Sequence, residues 1–287
     1  MVWVETILNG IFLGGLYGVL GLGLALVFGV MRVINVAHGD FIVLTAFIAV
    51  FMAATVPGIP PLMIILPVVV IAAVIGWLFQ TVLMNRVIEN DDLIVPMLLT
   101  FGVSFVMRNI MLETFGANPV TLDAGQLSRA SIAIGELNLG VLPILTLGVS
   151  VILFGALHWG VGHTEMGRVI RATSDNPAIV RIMGVKPGRI YALVMALSLM
   201  LAAVAGVLLA MRTSFTPNSG MDRILIAFEV VVLGGLGSFW GALIAGIILG
   251  VTQMIGFRFD ANSGLLYAHL LFLAFLIVRP NGIFGSK

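Results

Sequence analysis

Few side chains in this sequence have the type and spacing for chemistry, and the densest set is Asn35, His38, Gly39 and Asp40. A histidine two residues from a carboxylate, just after a long apolar run, has two readings. It can relay a proton, because ionisable groups inside a membrane are candidates for function. It can also form a hydrogen-bonded corner with interfacial solvation where a helix breaks. Asn35 shares the ambiguity: its amide satisfies backbone groups freed at the break, or residues 35–40 line or gate a pathway. Glu229 stands inside an apolar stretch, so its carboxylate must face protein, water, a basic partner or the amino group of a solute. Gly234, Gly235, Gly237 and Ser238 interrupt two short apolar runs. They predict a discontinuous helix that serves either close packing or the lining of a pathway.

Nothing in the sequence assembles a catalytic centre. His38, His158, His163 and His269 lack ligand spacing, and neither GxxxxGK[ST] nor HExxH occurs. Zero cysteine excludes thiol catalysis and a disulfide framework. The paired polar groups that an intramembrane hydrolase needs inside its spans are not visible. No catalytic residue, no metal set and no cofactor bound by the chain is expected, so an energy source must reside in another polypeptide.

The elements that position these residues follow from composition. Of 287 residues, 60% are hydrophobic and 9% charged, against about 25% charged in an average soluble domain, and the mean hydropathy is +1.18. Apolar runs of about 20 residues match a helix crossing about 30 Å of hydrocarbon, whereas barrel strands would be shorter and alternating. The expected fold is an all-α integral membrane protein, one domain over residues 1–287. It is a polytopic bundle of eight or nine spans with discontinuous helices, near 3–31, 41–56, 61–84, 93–114, 141–160, 190–211, 224–236, 240–256 and 265–279. The first run lacks a basic n-region and a cleavage pattern, and reads as a retained helix. The run from Val56 through Pro57, Gly58 and Ile59 to Pro60 and Pro61 reads as a hairpin, and 85–92 as a polar connector. Arg86, Arg108, Arg212 and Arg258 near span ends read as snorkelling anchors. A net charge of +1 leaves no basic face for nucleic acid.

Orientation follows from the basic residues. Residues 161–189 hold Arg168, Arg171, Arg181, Lys186 and Arg189, and short loops rich in Lys and Arg stay in the cytoplasm. Counting spans back puts the polar loop 116–140, with Asp123, Arg129 and Glu136, outside, and 32–40 near the cytoplasmic side. Local signals in the basic loop predict two short helices. Thr164 caps the first, Asp175 and Asn176 turn the chain, Pro177 opens the second and Gly184 stops it. This helix–turn–helix is either a solvated connector or a docking element for a soluble subunit. A faint echo between Gly39-Asp40-Phe41 and Gly237-Ser238-Phe239 hints at an internal repeat.

Three separated motifs carry a family resemblance. Residues 34–40, INVAHGD, resemble an INxAHG motif; Met166-Gly167-Arg168 through Arg171-Ala172 to Met183-Gly184 resemble a cytoplasmic coupling loop. Residues 232–242 and 279–285 resemble an LGGxGSxxGA and a PxGxxG signature. In order, across nearly the whole chain, the set is similar to the LivH-type permease subunits of ATP-binding-cassette importers for branched-chain amino acids, with amide and urea permeases as relatives. The resemblance implies a multi-pass chain of the bacterial inner membrane that forms a translocation pathway and has no cofactor of its own. It also implies partners: ATPase subunits that hydrolyse the ATP, a second permease such as a LivM-type chain, an external solute-binding protein and the bilayer.

On that reading Glu165, Met166, Gly167, Arg168, Arg171, Ala172, Asp175, Asn176, Pro177, Ile179, Met183 and Gly184 couple to the ATPase. Arg168 and Arg171 supply charge, and Ala172, Ile179 and Met183 an apolar face. Asn35, His38, Gly39, Asp40, Glu229, Gly234, Gly235, Gly237 and Ser238 line or gate the pathway. Two other classes stay open: an ion-coupled secondary transporter, with coupling-ion ligands on broken helices, and a passive channel. Neither requires a structured basic loop.

Overall fold

The computed structural model describes residues 2–56, 58–88, 94–135 and 137–284. Pro57, residues 89–92 of the expected connector, Glu136 and the last glycine of the C-terminal signature, Gly285, lie outside them. In chain order the helices are α1 (Val2–Met31), α2 (His38–Thr55), α3 (Ile65–Val82), α4 (Ile94–Phe115), α5 (Gln126–Arg129), α6 (Val141–His163), α7 (Glu165–Asp175), α8 (Pro177–Ile182), α9 (Pro187–Arg212), α10 (Gly220–Gly234), α11 (Phe239–Phe259) and α12 (Gly264–Val278). Each of the nine expected apolar runs is a helix. Seven are long and apolar enough to cross a membrane, while α10 and α12 have 15 residues each, about 22 Å at 1.5 Å per residue.

Small residues decide the packing order. In hydrocarbon no hydrophobic force pulls apolar helices together, so close backbone approach and polar contacts set the interfaces. α1 and α9 are each 83% buried over their apolar windows, whereas α4 and α6 are 22% buried. α1 is the axis because its glycine face admits α11: a Cβ on Gly10 or Gly14 would strike the α11 backbone at Val251 or Ile247, and one on Gly246 would strike Gly14 and Gly18. α9 packs beside α1 and holds α2 and α3. α4 lies outside, touching α2 and the turn at Pro217–Ser219.

The loop 116–140 is more ordered than an irregular connector. Strand β1 (Ser131–Ile134) pairs antiparallel with β2 (Leu137–Gly140), Ser131 opposite Gly140, so the fold carries a small hairpin beside its helices. The amide of Val120 bonds the Phe215 carbonyl at 3.0 Å, and the reciprocal bond is also 3.0 Å. These bonds tie the loop to the end of α9 opposite the basic segment.

Two expectations about breaks change. Gly234 to Ser238 do not interrupt a single span. They form the turn between α10 and α11, which fold back on each other with Gly234 against Gly241. The mid-depth discontinuity lies instead at the start of α2. His38 meets the carbonyl of Leu20, 11 residues from the end of α1, about 16 Å into the bundle by helical rise. Residues 32–35 therefore run inward without helix or strand, a turn at 36–37 leads into α2, and the start of α10 arrives at the same place, with Gly39 against Gly220.

Candidate functional site

The basic loop folds as its caps dictate. Thr164 Oγ1 accepts from the Gly167 amide at 3.0 Å and opens α7. Asn176 Oδ1 accepts from Ala178 and Ile179 at 3.0 and 3.1 Å, and Pro177 occupies the first turn of α8. Gly184, at φ +86°, stops it. The two helices are fastened to the bundle by buried Ile170, Thr173 and Val180 and by Ser174, whose hydroxyl donates to the Gly29 carbonyl at the end of α1 at 2.7 Å.

What remains outward is apolar. Ile179 is 55%, Met183 77% and Ile182 87% exposed, and Met166 also faces out. Large apolar side chains concentrated on a short fastened helix mark an interaction surface. Sequence reasoning missed Ile182, although its place three residues after Ile179 on one helix face was readable. Arg168 reaches exposed Glu165 at 3.4 Å, a surface pair contributing about 0–1 kcal/mol. Arg171 donates to the Val161 carbonyl. Ala172, Asp175 and Asn176 are exposed.

The second group of expected residues falls in three places. At the α2 start, Asn35 Oδ1 accepts from the Ala37 amide at 3.1 Å, so it does satisfy backbone at the break. His38 is fully buried, without interfacial solvation. Its Nε2 lies 3.1 Å from the Leu20 carbonyl; a carbonyl only accepts, so Nε2 carries the proton, and Nδ1 has no partner. Asp40 does not bond His38. Its carboxylate accepts from Ser104 Oγ at 2.5 Å and from Arg108 Nε at 3.2 Å, both on α4, and it rests against Gly220.

Asp40 thus sits where the positive ends of α2 and α10 meet, opposite a guanidinium, which is where an anion is most favoured. Arg108 is 15% exposed and turned inward, so it is no snorkelling anchor. Thr100, one turn before Ser104, accepts from the Val36 amide at 3.1 Å. The signal was present: Thr100, Ser104 and Arg108 recur every fourth residue and are the polar side chains of residues 94–108, a stripe on one face.

The second place is the α10–α11 turn. Ser238 Oγ accepts from the Gly241 amide at 3.1 Å and caps α11. The C-terminal segment covers the turn, with the amides of Ile283 and Phe284 bonding the Leu233 and Gly234 carbonyls at 2.8 and 3.2 Å. Two signatures far apart in sequence therefore meet, and Gly282 packs on Gly235.

The third place holds Glu229, buried and bonded at 2.5 Å to His269 Nδ1 of α12. Tyr17 donates to Gln253 across α1 and α11, and Arg212 donates to the Phe12 carbonyl at 3.3 Å rather than snorkelling. Paired polar groups inside the spans thus exist, contrary to expectation. They were invisible because their members lie 40 to 236 residues apart. No group of three or more metal-ligating side chains forms among the described residues.

At the mouth of the bundle a cavity of about 660 Å³ opens between the end of α1, the start of α4 and the α7–α8 turn. The basic loop and the inward-running segment 32–34 thereby share one wall-lined space.

Comparison with known proteins adds the following. The family described as "Branched-chain amino acid transport system / permease component" matches residues 6–278. The chain is 26% identical over 295 residues to the high-affinity branched-chain amino acid transport system permease protein LivH of Salmonella typhimurium, covering 99% of this chain and 96% of that one. It is 27% identical over 296 residues to BraD of Pseudomonas aeruginosa, with the same coverage. The autoinducer 2 import system permease protein LsrC of Klebsiella pneumoniae is 34% identical over 149 residues, 49% of this chain and 43% of LsrC. No solved structure matches.

Proposed function

We infer the role of this chain from the premise that it belongs to the permease family of branched-chain amino acid transport systems, whose pattern runs from residue 6 to residue 278. It is a multi-pass transport subunit without its own catalytic site. Its solute is a branched-chain or related amino acid. The full-length similarity to LivH and BraD supports this assignment, against a half-length similarity to an autoinducer permease.

The placement of the elements supports the following working cycle. α7 and α8 form the coupling element on the cytoplasmic face, presenting Met166, Ile179, Ile182 and Met183 to a groove of an ATPase subunit, with Arg168 and Arg171 beside them. ATP is bound and hydrolysed there, outside this chain. An external binding protein delivers the solute to the opposite face, where the hairpin 131–140 stands. A second permease, a LivM-type chain, completes the pathway.

Within this chain the pathway is gated at the meeting point of α2 and α10, where Asn35, His38, Gly39 and Asp40 gather. Gly234, Gly235, Gly237 and Ser238 form the close-packed turn at the other end of α10, and Glu229 braces α10 against α12. The observation that carries the reading is the apolar, exposed α8, held to a membrane bundle by its own Val180 and by Ser174 of the adjoining α7, because a solvated connector has no reason to hold Ile182 out in water.

The test is purification of the tagged chain from its native membrane in mild detergent, with mass spectrometry of what accompanies it and uptake by the reconstituted assembly. An ATPase, a second permease and ATP-dependent leucine uptake are expected. Recovery of the chain alone, active without ATP, overturns the importer reading in favour of an ion-coupled transporter.

A further inference from the structure

The cavity of about 660 Å³ at the loop face is built from two kinds of surface. Its walls are aliphatic and aromatic, with Phe28, Ile34, Ile88 and Met97 among them. Two opposite charges also line it, Arg32 from the chain leaving α1 and Asp175 from the end of α7. Among the described residues neither charge has an ion-pair or side-chain hydrogen-bond partner, and they do not pair with each other. An apolar pocket with a few convergent polar groups is the usual form of a small-molecule site.

Arg32 has a second peculiarity. At φ +54° it is the only described residue other than glycine in the left-handed region. A side chain held there is strained, and such outliers cluster at ligand-binding positions. Glycine would relieve the backbone, so the guanidinium is what an arginine adds at this position.

We propose that this cavity is an exit site for a zwitterionic α-amino acid with an aliphatic side chain, in which Arg32 holds the carboxylate, Asp175 holds the ammonium and the apolar wall takes the side chain. The proposal rests on the importer reading above and adds to it a cytoplasmic-side stop for the solute. Arg32 is suited to the carboxylate because a planar guanidinium matches it with two parallel hydrogen bonds. The site predicts that amino acid accumulated on the cytoplasmic side occupies the cavity and slows further transport. Because residues of α4 and of α7 line the same cavity, an occupant also bridges the coupling element and α4.

The chain has no cysteine, so Met97→Cys, in the cavity wall, gives a single reporter. In the complete importer, maleimide labelling of that cysteine is measured with L-leucine, with L-leucinamide, which lacks the carboxylate, and with 4-methylpentanoate, which lacks the amine. L-Leucine at millimolar concentration is expected to slow labelling at least about five-fold, and the two analogues less than two-fold. Arg32→Gly, which suits the backbone, is expected to abolish the protection, and Arg32→Lys to retain part of it.

Unprotected labelling in an importer that transports leucine overturns the proposal. So does equal protection by all three compounds, because the charges then contribute nothing. Protection that follows addition of the ATPase subunits and ignores leucine makes the cavity a docking surface and also overturns it. Failure of the parent complex to import leucine with ATP counts against the importer reading instead.

Discussion

Asp40 is the residue whose removal should cost the bundle most, and a double-mutant cycle with Arg108 measures why. In Asp40→Ala, Arg108 keeps its position at 15% exposure without a counter-charge, and the starts of α2 and α10 lose the anion between them. Removing one member of a buried pair costs about 3–5 kcal/mol, mostly because the other is left uncompensated. Helix N-termini contribute up to about 2 kcal/mol of that in a buried geometry.

Arg108→Ala should cost less, about 1–3 kcal/mol, because Asp40 keeps the Ser104 hydroxyl at 2.5 Å and both helix ends. The double variant should then resemble Asp40→Ala alone, giving a coupling of about 2 kcal/mol, within the range for residues in one network. Reversible unfolding in mixed micelles with increasing dodecyl sulfate, followed by tryptophan fluorescence, reads all three differences. Effects that add to within about 0.5 kcal/mol would mean the pair is independent, and the reading of Arg108 as the counter-charge of Asp40 would be wrong.

Three further outcomes follow from named contacts. Gly220→Ala should lower stability by at least about 1–3 kcal/mol, since its Cβ would enter the Asp40 carboxylate, whereas Gly102→Ala, with nothing within 4 Å, should be near neutral; folded yield in detergent compares them. Ile182→Asp and Arg171→Glu should each reduce ATP-driven uptake at least about ten-fold, a loss of roughly 1.4 kcal/mol of coupling, with unchanged membrane abundance on immunoblots. Normal uptake with Ile182→Asp would remove α8 from the coupling surface, and normal uptake with Arg171→Glu would remove that part of α7. Tyr17→Phe should destabilise by about 1–3 kcal/mol by leaving Gln253 Oε1 unpaired, and the same unfolding assay shows whether it does.

The sequence reading recovered the helices well because their signals are local. A run of apolar residues, the Thr164 and Asn176 caps, Pro177 and Gly184 each act within a few residues, and all four are used as read. Asn35 too was legible, since its partner is the amide two residues on. The reading was weaker where partners are distant. Arg108 near a span end looks like an anchor until Asp40, 68 residues earlier, is placed against it. His269 gains a role only once α12 lies beside α10. The glycines at 234–237 were read as a broken span because sequence shows flexibility but not depth. Depth is set by Gly29, which meets Gly237, and by the C-terminal segment folded over the turn.

The glycine face of α1 has a consequence for how the chain is made. Gly10 and Gly14 are complementary to backbone that arrives about 240 residues later, when α11 leaves the ribosome. At about 5–20 residues per second this leaves the face unfilled for tens of seconds. During that interval the first helix made is the one whose final surroundings are least complete, and lipid or an insertion factor must cover a seam shaped for another helix. A chain truncated before α11 should therefore insert and yet be cleared by membrane proteases, which makes α11 the element that licenses survival of everything synthesised before it.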